Sequence, residues 1–133
     1  MARLAADDVL DDGLDAMKAA VDAVAGEMTI CEGAPTTFEH ADSNKGTGAG
    51  KVLARLVNPT LTIADDTSGR KCTISEALAN TIDISGTADH IALTDGDSKL
   101  WLVTTCTEQA LVAGGTVDIP AWKFNIKDPT APA

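Results

Sequence analysis

The stretch "DHIALTDGDSKLWLVTTCT", residues 89–107, reads as a β-hairpin. Ile91 and Leu93 share one face of its first arm, and Asp95-Gly96-Asp97-Ser98 supplies the turn. In the second arm Leu100 and Leu102 lie on one face, with Trp101 and Val103 on the other. Apolar residues on both faces predict a central strand, covered on both sides.

Working outward, the same two-residue period recurs. Downstream, Gly114-Gly115 turns into "TVDIP" (116–120), and "AWKFNI" (121–126) alternates Trp122, Phe124 and Ile126 with Lys123 and Asn125. Pro120 between these runs predicts a bulge or an edge position. Residues 129–133 read as a flexible tail. Upstream, "KVLARLV" (51–57) is a strand stopped by Asn58-Pro59. "TLTIADDTSGRKCTIS" (60–75) holds two β runs around a turn at 66–69. "SEALAN" (75–80) reads as a helical turn or a bend, and Ile82 and Ile84 alternate with polar residues. Met28–Cys31 is a further strand. A polar segment rich in Gly and Thr follows at about 33–50, a loop long enough to imply function or mobility.

The first part of the chain has a different period. Leu10, Leu14, Met17, Val21 and Val24 recur in steps of four and three, the apolar stripe of an amphipathic helix over about 7–25. Asp7, Asp8, Asp11 and Asp12 complement its dipole, and Gly26 is placed to stop it in a left-handed conformation. One helix (1–26) followed by about eight short strands predicts a mainly β protein. The expected fold is a single antiparallel β-sandwich or Greek-key barrel over 27–128. The helix either covers an open end or docks on a neighbouring subunit.

Composition narrows the function. Of the 133 residues, ten are basic and twenty acidic, giving a net charge of −10. That balance argues against nucleic-acid binding, which needs clustered Lys and Arg. No run approaches the roughly 20 apolar residues of a membrane helix, and no export signal precedes the acidic helix. Synthesis in the cytoplasm is the expectation. With two Trp, two Phe and no Tyr, the core must rest on Val, Ile and Leu.

"NKGTGAGKVLARL" (44–56) invites a nucleotide-binding reading, because G-x-x-x-x-G-K-[ST] cradles phosphates. Gly50-Lys51 fits, but Lys45 stands where Gly is required and Val52 where Ser or Thr is required. The reading fails. Asn44, Lys45, Gly46, Gly48 and Gly50 are better read as a connection that either contacts a neighbour or is simply flexible. No nucleophile elbow is present. His40 lies in the polar loop, and His90 reads as an edge or core histidine, although a His90–Cys106 pair across the hairpin is conceivable chemistry. Asp65-Asp66 and Asp95-Gly96-Asp97 read as turn formers rather than as a metal site. No catalytic residue, cofactor or metal is expected. Cys31, Cys72 and Cys106 match no metal spacing. They are either half-buried thiols or intersubunit disulfide partners. For the second role Cys31 and Cys72, near polar loops, are better placed than Cys106.

Residues 84–129 carry the pattern "SGTADHIALTDG", then "TTCT", then "IPAW" and a closing Asp128-Pro129. With Thr29-Ile30-Cys31 and Pro35-Thr36-Thr37-Phe38 upstream, this resembles a group of small virion structural proteins of tailed bacteriophages. The resemblance spans about two thirds of the chain and is weakest at 42–60. It implies a non-enzymatic particle component, foremost a minor capsid or decoration protein on the head. The implied partners are the major capsid protein, or neck and tail proteins, with the chain itself a homo-oligomer or present in many copies per particle. A neck, collar or tail position is the alternative, as is a receptor-binding module on a tail fibre. Trp101 and Trp122, expected in the core, argue against sugar stacking.

Overall fold

The structure, a computed structural model, describes residues 7–23, 25–42, 51–67 and 69–126. It is mainly β, with antiparallel sheets in a sandwich-like arrangement and an N-terminal helix. Helix α1 spans Asp7–Val21, β1 Glu27–Glu32 and helix α2 Phe38–Asp42. Strands β2 (Lys51–Val57), β3 (Leu61–Asp65), β4 (Arg70–Ile74) and β5 (Ala77–Thr81) follow. They lead to β6 (Gly86–Thr94), β7 (Leu100–Leu111), β8 (Thr116–Ile119) and β9 (Trp122–Ile126). The strands form a four-stranded sheet ordered β2-β1-β6-β7, a three-stranded sheet β3-β4-β9 and a pair β5-β8. Each pairing is antiparallel.

The helix stripe does what its period demands. Leu14, Met17 and Val21 are buried, and α1 lies against β3, β4 and β6. It therefore covers the chain's own sheets. The side chain of Leu10, Val24 and the aspartates at 7–12 lie outside the described side chains. Gly26 does not stop the helix by a left-handed twist, because its φ is not positive. It is needed for close approach: a Cβ there would stand 1.7 Å from the Val21 carbonyl oxygen. The Asn58 N–H donates to the Gly26 carbonyl at 2.6 Å, tying the end of β2 to the start of β1.

The turns follow their sequence chemistry. The 89–107 hairpin is β6-β7, and Asp95 holds its turn by accepting from the N–H groups of Asp97, Ser98 and Lys99 at 2.9–3.0 Å. Burial alone would raise the Asp95 pKa, but these N–H donors outweigh it and the pKa is lowered. Gly96, with φ 76°, turns against the Ala25 carbonyl, where a Cβ would stand at 1.7 Å. The β3-β4 hairpin turns at 66–69 with Gly69 at φ 76°. Asp66 anchors that turn to β9: it takes Lys123 Nζ at 2.9 and 3.0 Å and Asn125 Nδ2 at 2.9 Å. Pro120 and Ala121 separate β8, which pairs with β5, from β9, which pairs with β4. The proline marks a corner where the chain changes sheets.

Four expectations change. First, β7 is the outer strand of its sheet, half-buried along its first five residues and mostly exposed beyond. The strand covered on both faces is β1, whose first five residues are all buried. It has neighbours on both edges, and α2 packs over β1, β2 and β6. Second, "SEALAN" is strand β5, not a helical turn. It carries a bulge between Ala77 and Asn80, with Ala79 at φ 55°. Buried Asn80 fixes it by donating to the carbonyls of Ala77 and Val117. Third, residues 82–85 of "TIDISG" form no strand, and Gly86 opens β6. Ile82 forms one bridge to Ala54, and the N–H groups of Asp83 and Ile84 both donate to the Leu53 carbonyl. Fourth, the 33–50 segment contains α2. Asn44, Lys45, Gly46, Gly48, Gly50 and the 129–133 tail lie outside the described residues. One cluster of buried residues runs from Leu14 on α1 to Ile119 on β8 and forms the core.

Candidate functional site

Between β7 and the β8-β9 corner the sandwich has an open mouth, a cleft of about 450 Å³. Its floor comes from a cross-strand row on the four-stranded sheet: Ile30 pairs with Ile91, and Ile91 with Thr104. Leu111 of β7 and Val117 and Ile119 of β8 complete the apolar wall. Thr105, Cys106, Thr107 and Gln109 line the β7 side. Trp122 and Lys123 stand at the start of β9. The Trp122 indole N–H is buried and finds no acceptor among the described residues, as is the Trp101 indole N–H on β7. A buried donor left unmet costs about 1–3 kcal/mol.

The β7 side of the mouth is irregular for a definite reason. Ala88 pairs with Gln109 and His90 with Thr105, so one residue of β6 stands opposite three of β7. The surplus lies at 106–108, opposite Asp89. A bulge of this kind bends the strand and re-aims its side chains. Asp89 is itself fixed: its Oδ1 accepts from the Gly33 N–H at 2.7 Å and from His90 Nδ1 at 2.8 Å. The His90 contact, then the Gly33 N–H, holds its carboxyl below the usual carboxylate range. His90 is thus oriented by Asp89, and its β7 neighbour is exposed Thr105.

The three thiols are free. Cys31 and Cys72 are 0% exposed, and burial pushes each thiol up to about 11. Cys106 is half-buried, its pKa raised by burial and then by Asp89. Thiolate chemistry needs the opposite shift. Burial counts against Cys31 and Cys72 as links, and Cys106, at the mouth, is the more exposed of the three thiols.

Elsewhere the polar groups hold structure. Lys51, the lysine of the phosphate-loop reading, opens strand β2 and pairs with Glu32 at 3.4 Å. A phosphate loop would open a helix there. Glu32 also accepts from the Thr87 N–H at 2.7 Å, and that bond, then Lys51, lowers its pKa. His40 caps a local turn through Thr36. Among the described residues no group of three or more His, Cys, Asp or Glu side chains converges on a metal-sized space. No described helix is long and apolar enough to cross a membrane. Sequence reasoning missed the mouth because it placed β7 inside its sheet. The signal that could have exposed it was "TTCTEQA" (104–110), too polar for a strand buried on both faces.

What fold and site define is a small β domain with a strand edge beside an apolar cleft. Comparison with family models, curated proteins and solved structures finds no match in any of the three.

Proposed function

We propose that the protein is a structural component of a tailed-phage virion, a minor capsid or decoration protein that stabilises the head through contacts between subunits. The observation that carries an interaction role is the β7 edge: twelve residues long, outermost in its sheet and bordered by an apolar cleft. Long open edges are what proteins use for pairing with other chains. The motif resemblance in residues 84–129 supplies the virion setting. The raised pKa values of the three thiols count against a thiolate nucleophile. Many copies, each adding modest contacts, reinforce a shell by multivalency. The partners are the major capsid protein or neck and tail proteins, and the protein is made in the host cytoplasm before joining the particle.

The test is particle composition and strength. Intact virions should contain the chain in many copies, visible by electron microscopy as density on the head exterior. Particles lacking it should lose DNA at a lower temperature than complete ones. Density at the neck or tail would move the protein there, and absence from purified virions would end the reading.

A further inference from the structure

Three features of the mouth specify an occupant. Among the described residues no strand pairs with the outer side of β7, so its backbone N–H and C=O groups there match an extended backbone as ligand. The floor of Ile91, Leu111, Val117 and Ile119 is apolar, so the residues pointing inward must be aliphatic. A strand of about five to six residues sends about three side chains to one face, a load suited to a cleft of this size. The third feature is charge. Glu108 is exposed at the β7 bulge, Asp118 lies across the mouth, and Lys123 is already engaged by Asp66. The rim is left acidic on a chain of net charge −10. A second copy would bring another −10 to the same edge, whereas a basic segment is drawn to it.

We infer that the mouth between β7 and the β8-β9 corner is a strand-acceptor site for one extended segment of a basic partner protein, with aliphatic residues at alternate positions and lysine or arginine at its flanks. The inference deepens the interaction role proposed above and rests on it. The segment adds to β7 as a new edge strand and lays its inward side chains over Ile91, Leu111 and Ile119. It closes the mouth, and Cys106 becomes covered.

Cys106 makes the site measurable in the intact protein. The probe is a blocked peptide in which valine alternates with threonine between terminal lysines. Two controls accompany it: the same peptide with glutamate termini, and the lysine form N-methylated at alternate amides. Alkylation of Cys106 by N-ethylmaleimide is followed by mass spectrometry. The lysine peptide should bind saturably and slow alkylation by at least about tenfold. The glutamate form should bind about tenfold more weakly at low salt, and the N-methylated form should give no protection. Thr107→Lys, at an exposed position of β7, should abolish protection while leaving the thermal melt unchanged. If the lysine peptide gives no protection, or the N-methylated form protects equally well, the acceptor site is wrong. Sedimentation showing a dimer that Thr107→Lys dissociates would make a second copy the occupant and overturn the inference. These readouts use isolated protein. A failed peptide experiment beside virions that contain the chain therefore refutes the acceptor site alone, and binding without virion incorporation refutes the proposed function alone.

Discussion

The two outer strands of the four-stranded sheet, β2 and β7, face the same physical problem and solve it differently. β2 is short and covered. Leu53 is 0% exposed and its carbonyl takes two N–H groups from the 82–84 segment, while α2 packs on the strand. Its outward charges are used: Arg55 reaches Glu27 at 3.4 Å and donates to the Asp42 carbonyl, and Lys51 reaches Glu32. β7 is long, rich in threonine and almost uncharged, and no described strand pairs with its outer edge. Proteins normally blunt such edges with charge, proline or a covering segment. One edge is finished by the chain itself, and the other is left open among the described residues. Stability should therefore concentrate at β2 and recognition at β7.

The largest test of that contrast is a pair of truncations. Leu53→Ala should cost about 2–5 kcal/mol in chemical denaturation, as fully buried leucines do. Leu102→Ala, at a half-buried position on β7, should cost about 1 kcal/mol. Equal losses would mean that β7 contributes as much to the core as β2. Next, Arg55→Met removes the cation facing Glu27, whose side chain is only 10% exposed. The loss should be about 1–2 kcal/mol, reduced from the fully buried case because Arg55 itself is a quarter exposed. Calorimetry of the variant checks this.

A smaller effect concerns the turn that neither edge uses. Lys123, then the Thr67 N–H, holds the Asp66 carboxyl down at about 2, against an ordinary 3.8. A carboxylate with a depressed folded pKa stabilises above the ordinary value and loses that contribution as pH falls through the folded one. Asp66→Asn should lower Tm by several degrees at neutral pH. The gap to the wild type should close as pH drops from 4 to 2. A gap that persists at pH 2 would show that the carboxylate charge is not what the turn needs. Last, with no partner present, maleimide should label Cys106 in the native protein, and Cys31 and Cys72 only on unfolding. Labelling of all three at one rate would show that the β1 side opens as readily as the β7 side.

The β2–β7 contrast marks where the sequence was readable. Alternation placed β6, β7, β8 and β9, and the Asp-rich turns at 66–69 and 95–98 gave both hairpins. The helix period correctly named Leu14, Met17 and Val21 as buried. Sheet order was not readable, because it depends on pairings such as Glu27 with Thr94 and Cys72 with Phe124 that no local pattern encodes. A run that is apolar on both sides looks the same in a central strand and in an edge strand that flanks a cleft. β5 was hidden for another reason. Its strand depends on the Asn80 side chain and the Asp118–Ala79 contact, which override a local sequence suited to a turn. The burial of Cys31 and Cys72 was not readable either, because closeness to a polar loop in sequence says nothing about which face of a strand the thiol occupies.

The corner at Pro120 and Ala121 has a consequence for how the molecule is made. β4 waits for β9, which lies about fifty residues further along the chain, and β5 waits for β8 across nearly as long a gap. During synthesis the β3-β4 hairpin leaves the ribosome with its inner edge bare. It stays so until the last described strand arrives to seal it. The half-made chain is therefore the form most exposed to wrong partners. A translational pause after β5 should raise aggregation, whereas a pause after β9 should be harmless.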